Sequence, residues 1–126
     1  MPQAIRVLVV DDNLETQKVI ADLLRDGGYE AALASNSTEA MQMFNERDDI
    51  GLVLADIVMP GLSGFDLARQ VKALRPDMPV LLMTGYAGYA DAIAQIGGVP
   101  LLKPFAGSLL RRVVDESLGR PPAEAA

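Results

Sequence analysis

Apolar runs of four to six residues alternate along this chain with longer stretches whose apolar positions recur at helical spacing. That is the pattern of repeated β-α units. The runs predict strands near 5–10, 30–34, 51–55, 79–83 and 99–102, and the longer stretches predict helices near 14–27, 37–47, 64–75, 87–96 and 106–118. In the first helix Leu14, Val19, Ile20, Leu23 and Leu24 are assigned to one face, and Gly27-Gly28 supplies the stop signal. Asn36 with Glu39 makes a capping box for the second helix. Ser63 caps the third, Pro76 and Pro79 bracket the turn into the fourth strand, and Leu109, Leu110, Val113, Val114 and Leu118 carry the fifth helix. Strands three to five lack apolar/polar alternation, which predicts burial on both faces and a parallel sheet between two helix layers. Strand 30–34 is the least apolar and suits an edge. Five such units joined by right-handed crossovers make an α/β fold with one doubly wound sheet. The weakest element is 87–96, where glycines at 85, 88, 97 and 98 flank about two turns of low helix propensity. It is expected to be the most mobile part of the chain.

Length and composition fit that picture. A chain of 126 residues is one domain, able to bury roughly 65–70% of its unfolded surface. Half of it is apolar with few aromatics, so Leu, Val, Ile, Ala and Met must build the core. The absence of cysteine excludes disulfides and thiolate metal sites. No signal peptide precedes the first strand, and the longest apolar runs are far too short to span a membrane, so a cytoplasmic location without membrane insertion is expected. A net charge of −6 with scattered Lys and Arg argues against direct nucleic-acid binding. With no histidine at all, the chain carries no phosphohistidine of its own.

The candidate chemistry lies where the strands end. Asp56 follows the apolar run Leu52-Val53-Leu54-Ala55 and precedes Met59-Pro60-Gly61, while Asp11 and Asp12 follow Val7-Leu8-Val9-Val10. In a parallel sheet these ends open at one edge, the place where open α/β sheets bind ligands. Each residue also has an ordinary reading. Asp11 or Asp12 could cap the first helix, although Asn13 competes for that role. Asp56 could be a turn residue before Pro60-Gly61. Thr84 could be a strand terminus, and Lys103, next to Pro104, a solvated lysine. Their conjunction favours chemistry. Three carboxylates repel one another unless a cation joins them, and Mg²⁺ (or Mn²⁺) prefers carboxylate, carbonyl and water oxygens. Asp12 and Asp56 can supply carboxylates and Val58 a carbonyl. Asp56 can attack phosphorus to form an acyl phosphate, with Thr84 and Lys103 placed to meet phosphoryl oxygens.

With VLVVDDN at 7–13, DIVMPGLSGFDL at 56–67, VLLMTGY at 80–86 and LLKPF at 101–105 in order, the sequence closely resembles the receiver domain of two-component response regulators over about residues 4–118. The resemblance implies a flavodoxin-like strand order 2-1-3-4-5 and a receiver occupying 1–119, and the Pro/Ala-rich composition of the tail at 120–126 predicts disorder there. It implies that Asp56 accepts the phosphoryl group, that Asp12, Asp56 and the Val58 carbonyl bind Mg²⁺, and that Asp11 supports the ion through water. Thr84 and Lys103 contact phosphoryl oxygens, and the Lys103–Pro104 bond is cis. Implied partners are a histidine kinase or histidine phosphotransfer protein, docking near the first helix, and a downstream protein target. The fourth helix, fifth strand and fifth helix are the implied output or homodimer face. With no output domain in these residues, the product is expected to be a binding event rather than an enzymatic one, apart from the chain's own phosphorylation and slow dephosphorylation. Two other readings are a degenerate, phosphorylation-independent interaction module and an aspartate-nucleophile phosphohydrolase. The intact acids, Thr84 and Lys103 argue against the first, and Val58 stands where such hydrolases typically place a second acid.

One position departs from the family. Most receivers have Tyr or Phe three residues before the lysine, where this chain has Pro100, which has neither a ring to swing nor an N–H to donate. Receivers with this TGY and P-x-x-K pattern resemble those of hybrid sensor kinases and some stand-alone regulators. The expected substitute is ordering of the Gly-rich segment 85–98 around Tyr86 and Tyr89, against the simpler reading that both rings merely cover the sheet edge. Val58 and Tyr86 also flank the expected entry of attacking water, and neither can orient it. Slow loss of the phosphoryl group follows. Val58→Asn is expected to shorten the lifetime of the acyl phosphate, followed by mass spectrometry after donor removal; an unchanged lifetime would refute this.

Overall fold

Each predicted β-α pair closes into a unit in the computed structural model, which describes residues 5–59, 61 and 63–119. The elements are β1 (Arg6–Val10), α1 (Leu14–Asp26), β2 (Glu30–Ala34), α2 (Ser37–Glu46), β3 (Ile50–Asp56), α3 (Gly64–Leu74), β4 (Val80–Thr84), α4 (Ala90–Gln95), β5 (Val99–Leu102) and α5 (Gly107–Ser117). The expected boundary after 119 and the tail at 120–126 lie outside the described residues, as does Pro60 of the expected turn. Gly61 in that turn has φ of +82°, which glycine adopts without strain.

All strand pairs are parallel, in the order β2-β1-β3-β4-β5, the order expected of a flavodoxin-like sheet. Alternate residues face opposite helix layers, so β1 sends Leu8 and Val10 into one core and Val7 and Val9 into the other. The first core is closed by Phe44, Leu67, Val71 and Ile93, and the second by Ile20, Leu24, Leu110 and Val114. Burial on both faces removes the alternation that marks a half-exposed strand. The helix starts follow the capping chemistry. The side chains of Asn13, Asn36 and Ser63 accept from the main-chain N–H groups of Thr16, Glu39 and Asp66. Asn13 is therefore the cap of α1, and the two preceding acids are free for another role. The second cap is a near capping box: Glu39 reaches back to the N–H of Ser35 rather than that of Asn36.

Three expectations need correction. The fifth strand is not buried on both faces, since only Leu101 is enclosed while Val99 and Leu102 are 39% and 47% exposed. It is an edge strand with no outer helix covering its whole length. The face assigned to α1 is also wrong in part. Gln17, Ile20, Ala21 and Leu24 point inward at i, i+3, i+4 and i+7, whereas Leu14 and Val19 are 63% and 59% exposed. The stretch at 87–96 is not one helix. Ala87–Tyr89 forms a 3₁₀ turn and only six residues follow as α4, because glycines bound the segment closely.

Candidate functional site

The C-terminal ends of β1, β3, β4 and β5 open at one edge, which brings the predicted acids together. Ligand oxygens of Asp11, Asp12 and Asp56 all lie within 4.8 Å of one another, with Asp11 buried, Asp56 partly buried and Asp12 exposed. Lys103, one residue beyond β5, reaches across the sheet edge. Its Nζ donates to Asp56 Oδ2 at 2.8 Å and stands 3.7 Å from Asp11 Oδ2, an ion pair too long for a hydrogen bond. The other Asp56 oxygen accepts from the Val58 N–H at 3.2 Å. The Lys103 main chain is fixed by a bond from its N–H to the Thr84 carbonyl and by a cis peptide to Pro104.

Thr84 is the last residue of β4, one past Met83, which stands in register with Asp56. Its buried hydroxyl is engaged with the Tyr86 main chain, accepting from that N–H at 3.0 Å. The Val58 and Tyr86 side chains are exposed at the rim, by 74% and 62%. Pro100 pairs with Leu82 in register on the exposed edge strand, away from the acids along β5. The structure thus gathers Asp11, Asp12, Asp56 and Lys103 directly and places Thr84 on the neighbouring strand end.

Two residues that the sequence reading passed over also build the site. Gln17 is buried on α1, and its side-chain amide donates to the main-chain oxygens of Asp11 and Ala34. Its signal was legible as a polar residue within the inward stripe 17, 20, 21 and 24. Gly64 opens α3 against the back of Asp56, where a Cβ would sit 2.4 Å from the Asp56 carbonyl oxygen and 2.8 Å from the Ile57 Cα. No side chain fits there without moving the strand end that presents the acid.

The electrostatics show what the cluster lacks. Burial pushes the Asp11 carboxyl above its ordinary range, reinforced by the charges of Asp56 and Asp12 and opposed by the Asn13 N–H and Lys103. For Lys103 burial acts downward, but the hydrogen bond and charge of Asp56, with that of Asp11, outweigh it and hold the ammonium above its ordinary range. Asp11 Oδ2 is buried with no hydrogen-bond partner. A buried carboxylate oxygen left bare beside two other acids is suited to a hard divalent cation or its water shell.

The sequence matches the family described as response regulator receiver domain across residues 7–115. The chain belongs to that family. This receiver is 36% identical over 123 residues to the response regulator protein FleR of Pseudomonas aeruginosa, covering 94% of this chain and 26% of that protein. It is 29% identical over 127 residues to a chemotaxis protein CheY homolog of Campylobacter jejuni, covering 96% and 98% of the two chains. The chain spans 16% of a 3′,5′-cyclic-nucleotide phosphodiesterase regA of Dictyostelium discoideum, at 35% identity, so several matched relatives are much longer. Among solved structures, a receiver domain protein of Clostridium thermocellum superposes with a TM-score of 0.87 at 32% identity, covering 91% of this chain and 94% of that one. TrrA of Thermotoga maritima, in complex with Mg²⁺-BeF, superposes at 0.84 with 30% identity, covering 90% and 99%. The receiver is thus similar to the signalling modules of response regulators. No helix among the described residues is long and apolar enough to cross a membrane.

The raised Asp11 carboxyl makes the stability of the receiver depend on pH. Folded Asp11 holds its proton more readily than unfolded Asp11, whose ordinary value is 3.8. Between that value and the raised one the native state binds more protons, so stability falls as pH rises through the window, and the cost persists at neutral pH. Lys103 adds stability below 10.5, and that contribution is likewise lost as pH rises through its higher folded value. Asp11→Asn is expected to raise the melting temperature of the metal-free protein at neutral pH, with little change below pH 3.8. Calorimetry across that range checks this, and a lower neutral-pH melting temperature in the variant would contradict it.

Proposed function

We propose that this receiver takes a phosphoryl group from a phosphohistidine on a partner, holds it on Asp56, and thereby changes a protein-binding surface. The observation that carries this reading is Lys103 hydrogen-bonded to Asp56 inside a three-carboxylate cluster at the sheet edge. These residues contain no histidine, so the phosphohistidine lies outside them, on a histidine kinase or a histidine phosphotransfer protein. Asp12, Asp56 and the Val58 carbonyl would hold Mg²⁺ (or Mn²⁺), with Asp11 supporting it through water. When bound, the ion neutralises excess negative charge and polarises the phosphoryl oxygens.

The protein's own groups supply positioning. Val58 N–H and Lys103 Nζ each restrain one Asp56 oxygen and orient the carboxylate. A carboxylate oxygen attacks phosphorus in line with the departing imidazole. The P–O bond forms as the P–N bond breaks, and the imidazole nitrogen keeps that electron pair and takes up a proton from solvent. Lys103 then shifts from Asp56 to a phosphoryl oxygen, and the Thr84 hydroxyl leaves the Tyr86 main chain to bind another. Little covalent work is asked of the protein because the transition state is loose. The partner docks at an open groove of about 620 Å³ between α1 and the segment after β5, lined in part by Val19, Leu23, Pro104 and Phe105. Exposed Val19 belongs to that face. A cytoplasmic location suits such a donor, and protein partners rather than nucleic acid suit the net charge of −6.

Incubation with Mg²⁺ and acetyl phosphate is expected to add one phosphoryl mass to the parent and none to Asp56→Asn. An unlabelled parent would indicate an interaction module, and continuous phosphate release a hydrolase.

For the output side, we infer that Tyr86 and Tyr89 take over from the ring missing at Pro100. Tyr86 packs edge-on to Tyr89 with centroids 5.0 Å apart, and Tyr89 packs on Phe65 of α3 at 5.6 Å. The Tyr86 ring lies over Gly88, where a Cβ would come within 2.3 Å of it. Once Thr84 releases the Tyr86 main chain, this stack and α4 reorder, altering the face formed by exposed Val99, Leu102 and Leu109. That face takes a downstream protein or a second copy. NMR relaxation over 85–98, with and without a phosphate analogue, is expected to show the segment stiffening, and Gly88→Ala to abolish the difference. Identical relaxation in both states would rule this relay out.

A further inference from the structure

We propose that Gln17 is a positioning residue for the cation site, holding the peptide that joins Asp11 to Asp12. This rests on the reading that the acids bind a divalent ion. The Gln17 side chain is 4% exposed and lies on the inward stripe of α1 with Ile20, Ala21 and Leu24. An apolar side chain there would avoid the cost of burying an amide. Instead, Nε2 stands 2.6 Å from the Asp11 carbonyl oxygen, 3.1 Å from the Ala34 carbonyl oxygen and 3.3 Å from Ser35 Oγ. Two protons face three acceptors, and the shortest contact is to Asp11.

The Asp11 carbonyl belongs to the peptide between two of the three clustered acids. Rotation of that peptide would swing both carboxylates. The other groups around it are also restrained: Asp11 N–H donates to the Ala34 carbonyl, and Asn13 N–H donates to Asp11 Oδ1 at 2.9 Å. Gln17 supplies the restraint on the remaining main-chain oxygen. It draws it from β2, because the same amide bonds Ala34 and Ser35 where that strand ends. Ser35 is in turn held by Glu39 of α2. The acid pair is therefore anchored to α1, β2 and α2 together, and the bare Asp11 Oδ2 stays aimed at Asp56 and Lys103.

Partners that orient metal ligands from outside the coordination sphere typically alter affinity by about 10–100-fold when removed. Mg²⁺ titration of the folded protein, followed through NMR amide shifts, tests this with parent, Gln17→Met and Tyr29→Phe. The last variant removes a buried hydrogen bond to Asp115 on α5 and serves as the stability control. Gln17→Met is expected to bind Mg²⁺ about 10–100-fold more weakly. Tyr29→Phe is expected to melt lower yet bind like the parent. Binding by Gln17→Met as tight as the parent's would overturn the proposal, as would weakening shared by Tyr29→Phe in proportion to lost stability. Gln17→Asn, with its amide one methylene short of Asp11, serves the same comparison should Gln17→Met not fold. In the parent, the Gln17 side-chain NH₂ signals are expected to move with Mg²⁺ in step with the Asp12 amide; a stationary pair counts against the proposal. A parent that binds no Mg²⁺ would instead sink the reading of the site on which this depends.

Discussion

Three carboxylates crowd one sheet edge with a single ammonium to oppose them, and the rest of the structure is arranged around that imbalance. At separations within 4.8 Å, two unit charges repel by about 3–4 kcal/mol at an effective dielectric of roughly 20, less where Asp12 meets water. That is a large fraction of the roughly 5–15 kcal/mol by which a domain is stable. Lys103 relieves part of it through Asp56 and, more distantly, Asp11. The rest is borne by the raised Asp11 carboxyl and its bare oxygen. A site with this charge imbalance gains most from a ligand that supplies positive charge, so its acidity and its function are one property.

Holding such a cluster in place needs a rigid frame, and the parallel sheet provides it. The acids sit at or just beyond strands enclosed on both faces, so movement of Asp56 would disturb Val53 and Ala55 on one side and Leu54 on the other. Gly64 lets α3 press directly against the back of the acid. Gln17 performs the corresponding task for β1 with hydrogen bonds instead of contact. The two strand ends are thereby braced by different chemistry against the same charge repulsion.

Much of this could be read before any coordinates, for a physical reason. Strand periodicity, Asn and Ser caps, and acids placed after apolar runs are local signals, and each survived folding because tertiary packing agreed with it. Asp11, Asp12, Asp56 and Lys103 were legible because charged residues beside buried strands need a reason. What misled was the assumption that apolar means buried. Leu14 and Val19 lie on the outer side of α1, and β5 exposes Val99 and Leu102, because a one-domain protein has more apolar surface than its core can hold. Gln17 and Gly64 escaped notice for the opposite reason. A polar side chain in an inward stripe and a helix-initial glycine look ordinary until the strand end beside them is known.

Two groups of exposed apolar residues lie on separate faces, one at each end of the relay we propose. One face borders Lys103, Pro104 and α1, next to the acids; the other runs along β5 and α5. The proposed route between them passes through the end of β4, where the Thr84 hydroxyl holds the Tyr86 main chain and Tyr86 begins the aromatic stack on Phe65. Pro100 on β5 can contribute no moving ring, so the relay we propose runs through the segment 85–98 instead. The short α4 is bounded by Gly88 and Gly97, and its low intrinsic propensity means little helix stability need be given up for it to change. A braced edge that gathers charge and a short helix of low propensity beside it are therefore complementary consequences of the same sequence.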